Sequence, residues 1–75
     1  MKVGEIWQDK NHPIKVKIIK IDKDEWLLIK LLNGYFDKEG KTYSYGEEFK
    51  GCLYEEGEIM SIDRESFLGL YYKIY

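Results

Sequence analysis

The stretch that decides the fold is residues 14–32, which read Ile-Lys-Val-Lys-Ile-Ile-Lys-Ile, then Asp-Lys-Asp-Glu, then Trp-Leu-Leu-Ile-Lys-Leu-Leu. Two runs rich in β-branched and aliphatic residues flank a short charged connector, and this pattern predicts a β-hairpin. Because these two strands hold much of the apolar mass of the chain, the other segments must pack on them. The core is expected to contain Ile14, Val16, Ile18, Leu27, Ile29 and Leu31, or their opposite-face neighbours if the register slips by one residue.

The alternation in the first of these strands slips after Ile18, because Ile19 and Ile21 are apolar while Lys20 takes the polar position. A one-residue change of phase is what a β-bulge produces. A bulge also lets a small sheet bend enough to close on itself. A strand buried on both faces would give a similar pattern, but it would have to bury Lys20, so we favour the bulge.

The middle of the chain predicts a second hairpin and a further short strand. Asn33 and Gly34 both accept positive φ, so they predict a two-residue turn after the second strand. The returning strand starts at Tyr35 and breaks at residues 37–40. Residues 41–45 alternate Tyr with Thr and Ser, which predicts a strand with an aromatic face, and residues 46–51 predict a turn or a single helical turn.

The remaining segments complete a mainly β pattern. Short strands are predicted at residues 2–8, 52–54, 58–62 and 68–75, and Asp63 offers an N-cap for one turn of helix. Five to six short strands and at most one helical turn predict an all-β fold, a small SH3-like barrel in one domain of residues 1–75. An OB-like barrel is the alternative topology.

Composition limits the sources of stability in a chain of 75 residues. The single cysteine, Cys52, cannot form an internal disulfide, and with the single histidine, His12, it falls short of a zinc ligand set. We therefore expect no metal or other cofactor and a fold held by hydrophobic burial. One free cysteine, no apolar leader and no membrane-length segment predict a cytoplasmic protein without membrane contact.

No motif in the chain has the spacing that catalysis requires. Gly46 and Gly51 flank acidic residues instead of joining a strand to a helix, which excludes phosphate-cradling loops. Cys52 and His12 form the only Cys–His pair, and Cys52 beside Leu53 is typical of a small buried hydrophobic residue. The sequence therefore predicts a protein that is not an enzyme.

Charge is spread unevenly along the chain. Residues 1–41 hold nine lysines against seven acids, whereas residues 42–75 hold three basic residues against seven acids, giving a net charge of −2. Ordinary solubilising surface charge accounts for such a modest asymmetry. The negative total argues against binding to nucleic acid through phosphate neutralisation alone.

Three segments resemble small SH3-like barrel proteins of phages and mobile elements: the opening Gly4-Glu-Ile-Trp7, the Ile/Val/Lys-rich second strand and the closing Phe67-x-x-x-Tyr71. The resemblance covers most of the chain. It implies the barrel fold and a phage or mobile-element setting, which places the protein in the host cytoplasm. Such families include inhibitors of host defence systems, and no functional residue is transferred from them.

The aromatic residues point to a binding function. Seven tyrosines and two tryptophans exceed what so small a core can enclose. Most are expected to cap the barrel ends with their hydroxyls in water, and several to form an exposed patch, because Tyr and Trp dominate interface hot spots. We predict a protein-binding module that occludes a host protein with a basic surface through Tyr43, Tyr45, Glu47, Glu48, Tyr54, Glu55 and Glu56.

Two other functions remain open. A nucleic-acid-binding barrel would use Trp26 for stacking and lysines 15, 17, 20 and 30 for the backbone. A structural partner would associate through a free sheet edge, although lysines 15, 17 and 20 protect against such pairing. The expected state is a monomer or a small homo-oligomer.

Overall fold

The computed structural model describes the backbone of residues 1–75 and every side chain except those of residues 43 and 44. The described chain forms seven strands and one helix, in the order β1 (Ile6–Asp9), β2 (Lys15–Ile21), β3 (Trp26–Leu31), β4 (Tyr35–Ser44), β5 (Glu47–Tyr54), β6 (Ile59–Asp63), α1 (Arg64–Leu70) and β7 (Tyr71–Lys73).

The strands form two antiparallel sheets. Five of them pair in the order β6-β3-β2-β1-β7, and β4 pairs with β5 in a separate hairpin. The mainly β class expected from the sequence is confirmed. Closure into an SH3-like barrel stays a prediction, because the hydrogen-bonded order ends at β6 and β7 and does not pair these two edges with each other.

The predicted bulge in β2 is confirmed. Ile18 lies opposite Ile29 and Lys20 lies opposite Leu28, so Ile19 is the extra residue of the pair. Because of the extra residue, the side chains of β2 after the bulge again alternate in step with those of β3. Lys20 consequently lies on the same outer face of the sheet as Lys17, while Ile18 faces the core.

The core lies on the inner face of the five-stranded sheet. All six residues predicted from the alternation are at most 3% exposed. The rest of the buried set consists of Trp7, Phe67 and Tyr71. The Phe67 ring lies 4.9 Å from the Trp7 ring and 4.7 Å from the Tyr71 ring, measured between centroids. The helix thus places one aromatic side chain over the sheet.

The C-terminal part of the chain contains more helix than predicted. Asp63 is the expected N-cap, and its Oδ2 accepts a hydrogen bond from the Ser66 N–H at 3.0 Å. The helix then continues for seven residues, so the predicted strand at residues 68–75 is wrong for 68–70. Burial of Phe67 stabilises a second turn that local propensity alone does not indicate.

Asn33 and Gly34 do not form the predicted hairpin turn. Both edges of β3 are already occupied by β2 and β6, so β4 cannot pair with β3. Asn33 has another role: its Oδ1 accepts from the Lys15 N–H at 2.8 Å, and its Nδ2 donates to the Pro13 carbonyl at 2.7 Å. The side chain therefore extends the β2–β3 ladder.

The second hairpin of the molecule turns at Tyr45 and Gly46. Their φ values are +53° and +81°. Positive φ at both residues gives a two-residue turn whose twist matches that of the two flanking strands. The predicted turn or helical turn at residues 46–51 is wrong, because Glu47 onward pairs with β4. The predicted break at residues 37–40 is a register shift inside a continuous β4, between Asp37 and Lys41.

Candidate protein-binding hairpin

The β4–β5 hairpin contributes little to the core. All nine buried residues of the described side chains lie in the five-stranded sheet, in the helix or at Ile14 just before β2. The hairpin reaches the core only through residues at its base, where Tyr35 and Tyr54 are partly buried against the core cluster. Most of its length is therefore free to present side chains to solvent.

One face of the hairpin is apolar and exposed. Phe36 lies opposite Leu53, and Phe49 lies on the same face because alternate residues of β5 share a face. These three side chains are 54%, 62% and 49% exposed, respectively. A Cβ atom built on Gly51 would lie 2.7 Å from Cζ of Phe36, so the ring packs directly on the glycine backbone. We call Phe36, Phe49 and Leu53 the apolar face of the hairpin.

The tip of the hairpin is acidic and carries one aromatic side chain. Tyr45 is fully exposed in the turn. Glu47 and Glu48 follow it, and both are exposed. Glu48 forms an ion pair with Lys41 at 3.2 Å, while Glu47 extends the negative charge at the tip.

The patch predicted from the sequence is divided by the structure into two groups. Tyr45, Glu47 and Glu48 lie together at the tip, whereas Tyr54, Glu55 and Glu56 lie at the base. Tyr54 follows Glu47 by seven positions along the extended strand, a distance of about 23 Å. The Tyr43 side chain lies outside the described part of the structure. The partner-binding role of these residues stays a prediction.

Sequence reasoning missed the apolar face. Phe49 and Leu53 are four residues apart on β5, a spacing that places them on one side of a strand. Gly51 between them suggested a turn and hid this alternation. In the structure Gly51 has a φ of +96° and remains within the strand, opposite the register shift of β4.

His12 connects the hairpin base to the sheet. Its Nδ1 lies 3.3 Å from Oδ2 of Asp9, and its Nε2 lies 3.0 Å from Oδ2 of Asp37 in β4. Partial burial raises the pKa of Asp37, but hydrogen bonds from the Glu39 N–H, the His12 ring and the Gly40 N–H lower it below the usual value. Both ring nitrogens of His12 therefore contact carboxylates rather than the Cys52 thiol.

The outer face of the five-stranded sheet is basic. Lys17 lies opposite Lys30 in the β2–β3 register, and the bulge places Lys20 on the same face. Trp26, which is 48% exposed, shares this face because it lies four residues before Lys30 on β3. Lys15 completes the set. We call this surface, formed by Lys15, Lys17, Lys20, Lys30 and Trp26, the lysine face.

Comparisons with protein-family models, with curated proteins and with solved structures found no match. Among the described side chains, no three His, Cys, Asp or Glu residues cluster in a way that could hold a metal ion. Within the described residues, no helix has the length and apolar character to cross a bilayer.

Proposed function

We propose that this chain is a non-enzymatic protein-binding module that docks the β4–β5 hairpin onto a partner protein with a basic surface. The observation that carries the proposal is the exposed apolar face of Phe36, Phe49 and Leu53 on a hairpin that contributes none of the nine buried core residues. The resemblance to barrel proteins of phages and mobile elements supports a role as an inhibitor that occludes a host defence protein.

The hairpin has the two features that interfaces combine. A few aromatic and aliphatic side chains supply most of the affinity once they are desolvated. The surrounding charge supplies specificity and a faster association rate. Here Phe36, Phe49 and Leu53 provide the first feature, and Glu47 and Glu48 at the tip provide the second. Negative charge at the tip selects a partner that is positively charged at the contact.

Truncation of the hairpin aromatics tests the proposal. The partner is first identified by a pull-down from the native host with mass spectrometry. Phe49→Ala and Tyr45→Ala are each expected to weaken binding by about 1–3 kcal/mol while the domain stays folded. Tyr72→Ala is the matched control for Phe49, because Tyr72 is equally exposed at 49% but lies on β7. Tyr54 is a poorer test residue, because its truncation also removes a contact with the core.

Charge reversal at the tip tests the steering role separately. Glu47→Lys with Glu48→Lys is expected mainly to slow association, and less so at high salt, because the Debye length shortens to about 3 Å at 1 M. Binding kinetics and circular dichroism measure the two effects. Normal binding by folded Tyr45 and Phe49 variants, together with lost binding by Lys15 or Lys17 variants, would move the interface to the lysine face.

Nucleic-acid binding is the second candidate, and the lysine face favours it. Lys17, Lys30 and the exposed Trp26 on one surface are the groups that track a backbone and stack on a base. Under the protein-binding proposal, random single- or double-stranded DNA should show no binding at physiological salt and micromolar protein. A tight complex with a steep salt dependence would instead favour the second candidate.

A further inference from the structure

A cavity of about 220 Å³ lies where the hairpin base, the sheet and the end of α1 meet. Five aliphatic or thioether side chains make most of its lining apolar: Ile14, Leu31, Met60, Ile62 and Leu70. Ligand pockets for drug-sized molecules hold about 300–1,000 Å³. This cavity is smaller, so its size suits one side chain or an alkyl group of a few carbons rather than a cofactor.

The polar lining of the cavity is rich in acceptors. Asp9, His12, Tyr54 and Tyr71 contribute to it. The carboxylate of Asp9 holds the following loop, because its Oδ1 accepts from the backbone N–H groups of Asn11 at 2.7 Å and of His12 at 3.1 Å. Its Oδ2 contacts only the His12 ring among the described partners. Asp9 therefore retains acceptor capacity on one oxygen.

Acidic groups lie near the two tyrosines that line the cavity. Burial raises the pKa of Tyr54, and the charges of Cys52, Asp37, Asp9 and Glu58 raise it further. Burial also raises the pKa of Tyr71, with Asp9 and Tyr54 adding to the effect. The nearby carboxylates that disfavour a phenolate favour a bound cation, whereas burial disfavours both charged forms.

No lysine or arginine lines the cavity among the described residues. Lys10, which follows Asp9, directs its ammonium to the Leu68 carbonyl at 3.4 Å. Among the described residues, the His12 ring is thus the one basic group in contact with the Asp9 carboxylate, and a bound cation would share Oδ2 with it.

We propose that this cavity binds a lysine side chain of the partner, with the aliphatic stem on the apolar lining and the ammonium at Asp9. The inference rests on the proposed function in one respect, namely that the partner has a basic surface. Lysine fits better than arginine, because a guanidinium prefers both oxygens of a carboxylate and Oδ1 of Asp9 already accepts two backbone N–H groups.

Small probes test the cavity without the partner. The full chain, labelled with ¹⁵N, is titrated with n-butylammonium, which reproduces a lysine side chain, and with 1-butanol and butyrate. Butylammonium is expected to give saturable amide shifts at Asn11, His12, Met60 and Tyr71, with a dissociation constant at least about fivefold below that of 1-butanol. Butyrate is expected to cause no saturable shift. Equal responses to butylammonium and 1-butanol, or no response at the cavity, would overturn the proposal.

Asp9→Asn tests the role of the carboxylate. The amide oxygen of asparagine can still accept from the two backbone N–H groups, so the loop is expected to persist. The preference for butylammonium over 1-butanol should disappear in this variant. Asp24→Asn, which removes the same charge from the exposed β2–β3 connector, should retain the preference. A preference that survives in Asp9→Asn contradicts the proposal.

The failures of the two proposals can be distinguished. If Phe49→Ala loses partner binding while butylammonium does not bind the cavity, the hairpin interface is supported and the lysine site is wrong. If butylammonium binds at Asp9 while the hairpin variants bind the partner normally, the lysine site stands and the hairpin interface is wrong.

Discussion

The five-stranded sheet and the β4–β5 hairpin are built from similar alternating sequence, but they differ in what covers their apolar faces. In the sheet, Phe67 of the helix packs with Trp7 and Tyr71 over a set of aliphatic side chains. In the hairpin, Phe36 and Leu53 lie opposite each other and stay more than half exposed. A chain of this length can cover one such face with its own elements. The hairpin face is the one that these elements leave uncovered.

The largest expected effect is a difference between the sheet and the hairpin in the stability lost when one apolar side chain is truncated. Ile18→Ala should lower the free energy of unfolding by about 2–5 kcal/mol, because Ile18 is fully buried and its truncation leaves a cavity. Leu53→Ala should cost less than about 1 kcal/mol, because it removes only a cross-strand contact on an exposed face. Urea denaturation followed by circular dichroism measures both. Equal costs would show that the hairpin face is as well covered as the sheet.

Gly51→Ala should break the hairpin while sparing the sheet. Its φ of +96° is strained for any residue with a Cβ, at a cost of about 1–3 kcal/mol, and the new atom would displace Phe36. Hydrogen exchange should therefore speed up at β4 and β5 amides and stay slow at β2 and β3. Gly69→Ala is the control. It lies in the helix with nothing within 4 Å of the new Cβ, so about 0.5–1 kcal/mol of stabilisation is expected.

Removal of the helix cap should have a smaller effect. Asp63→Ala leaves the Ser66 N–H without its acceptor, at a cost of about 1 kcal/mol. Asp63→Asn, which keeps an acceptor oxygen, should recover most of the loss. Thermal unfolding of the two variants compares them. Equal midpoints for Asp63→Ala and the wild type would mean that packing of Phe67 alone holds the helix.

Acid should weaken the link between β1 and β7 through Glu5. A hydrogen bond from the Lys2 backbone N–H, and then the Lys73 ammonium at 3.0 Å, lower the pKa of Glu5 from 4.5 to about 2. Because the folded-state pKa is lowered, this stabilisation is present above pH 4.5 and is lost as the pH falls towards about 2.

Denaturation at a series of pH values checks this prediction. Glu5→Gln should flatten the loss of stability below pH 4.5. Glu56→Gln, in the turn after β5, should leave the wild-type slope. Parallel pH profiles for Glu5→Gln and the wild type would show that the Glu5 contacts do not contribute to stability.

The parts of the fold that could be predicted are those set by strand periodicity. The alternation at residues 14, 16 and 18 identified the core face, and the slip at Ile19 identified the bulge, because a two-residue period records side-chain direction directly. The hairpin turn predicted at Asn33-Gly34 was wrong, because turn residues do not show whether the edge of the preceding strand is free to pair. The second turn of α1 was missed because it depends on the burial of Phe67, a tertiary contact.

The candidate site was harder to predict for a geometric reason. The acidic and tyrosine content of the second half was visible in the sequence, but the lengths of the strands decide which of those residues meet. Because β5 runs unbroken through Gly51, Glu47 and Tyr54 lie at opposite ends of one strand. The clamp of His12 between Asp9 and Asp37 joins residues 28 positions apart in the chain, which local patterns do not indicate.

The position of the hairpin between β3 and β6 has a consequence for the folding rate. Residues 32–58 must be closed into a loop before β3 and β6 can pair. If the hairpin forms first, its ends are paired at Tyr35 and Tyr54, and only residues 32–34 and 55–58 remain to be ordered. The shorter effective loop lowers the entropic cost of closure by about 1 kcal/mol. The tight Tyr45-Gly46 turn favours formation of the hairpin before β3 pairs with β6, because a local hairpin forms within microseconds. We therefore expect Gly51→Ala to slow refolding of the whole domain in stopped-flow experiments, and an unchanged rate would show that the sheet assembles before the hairpin.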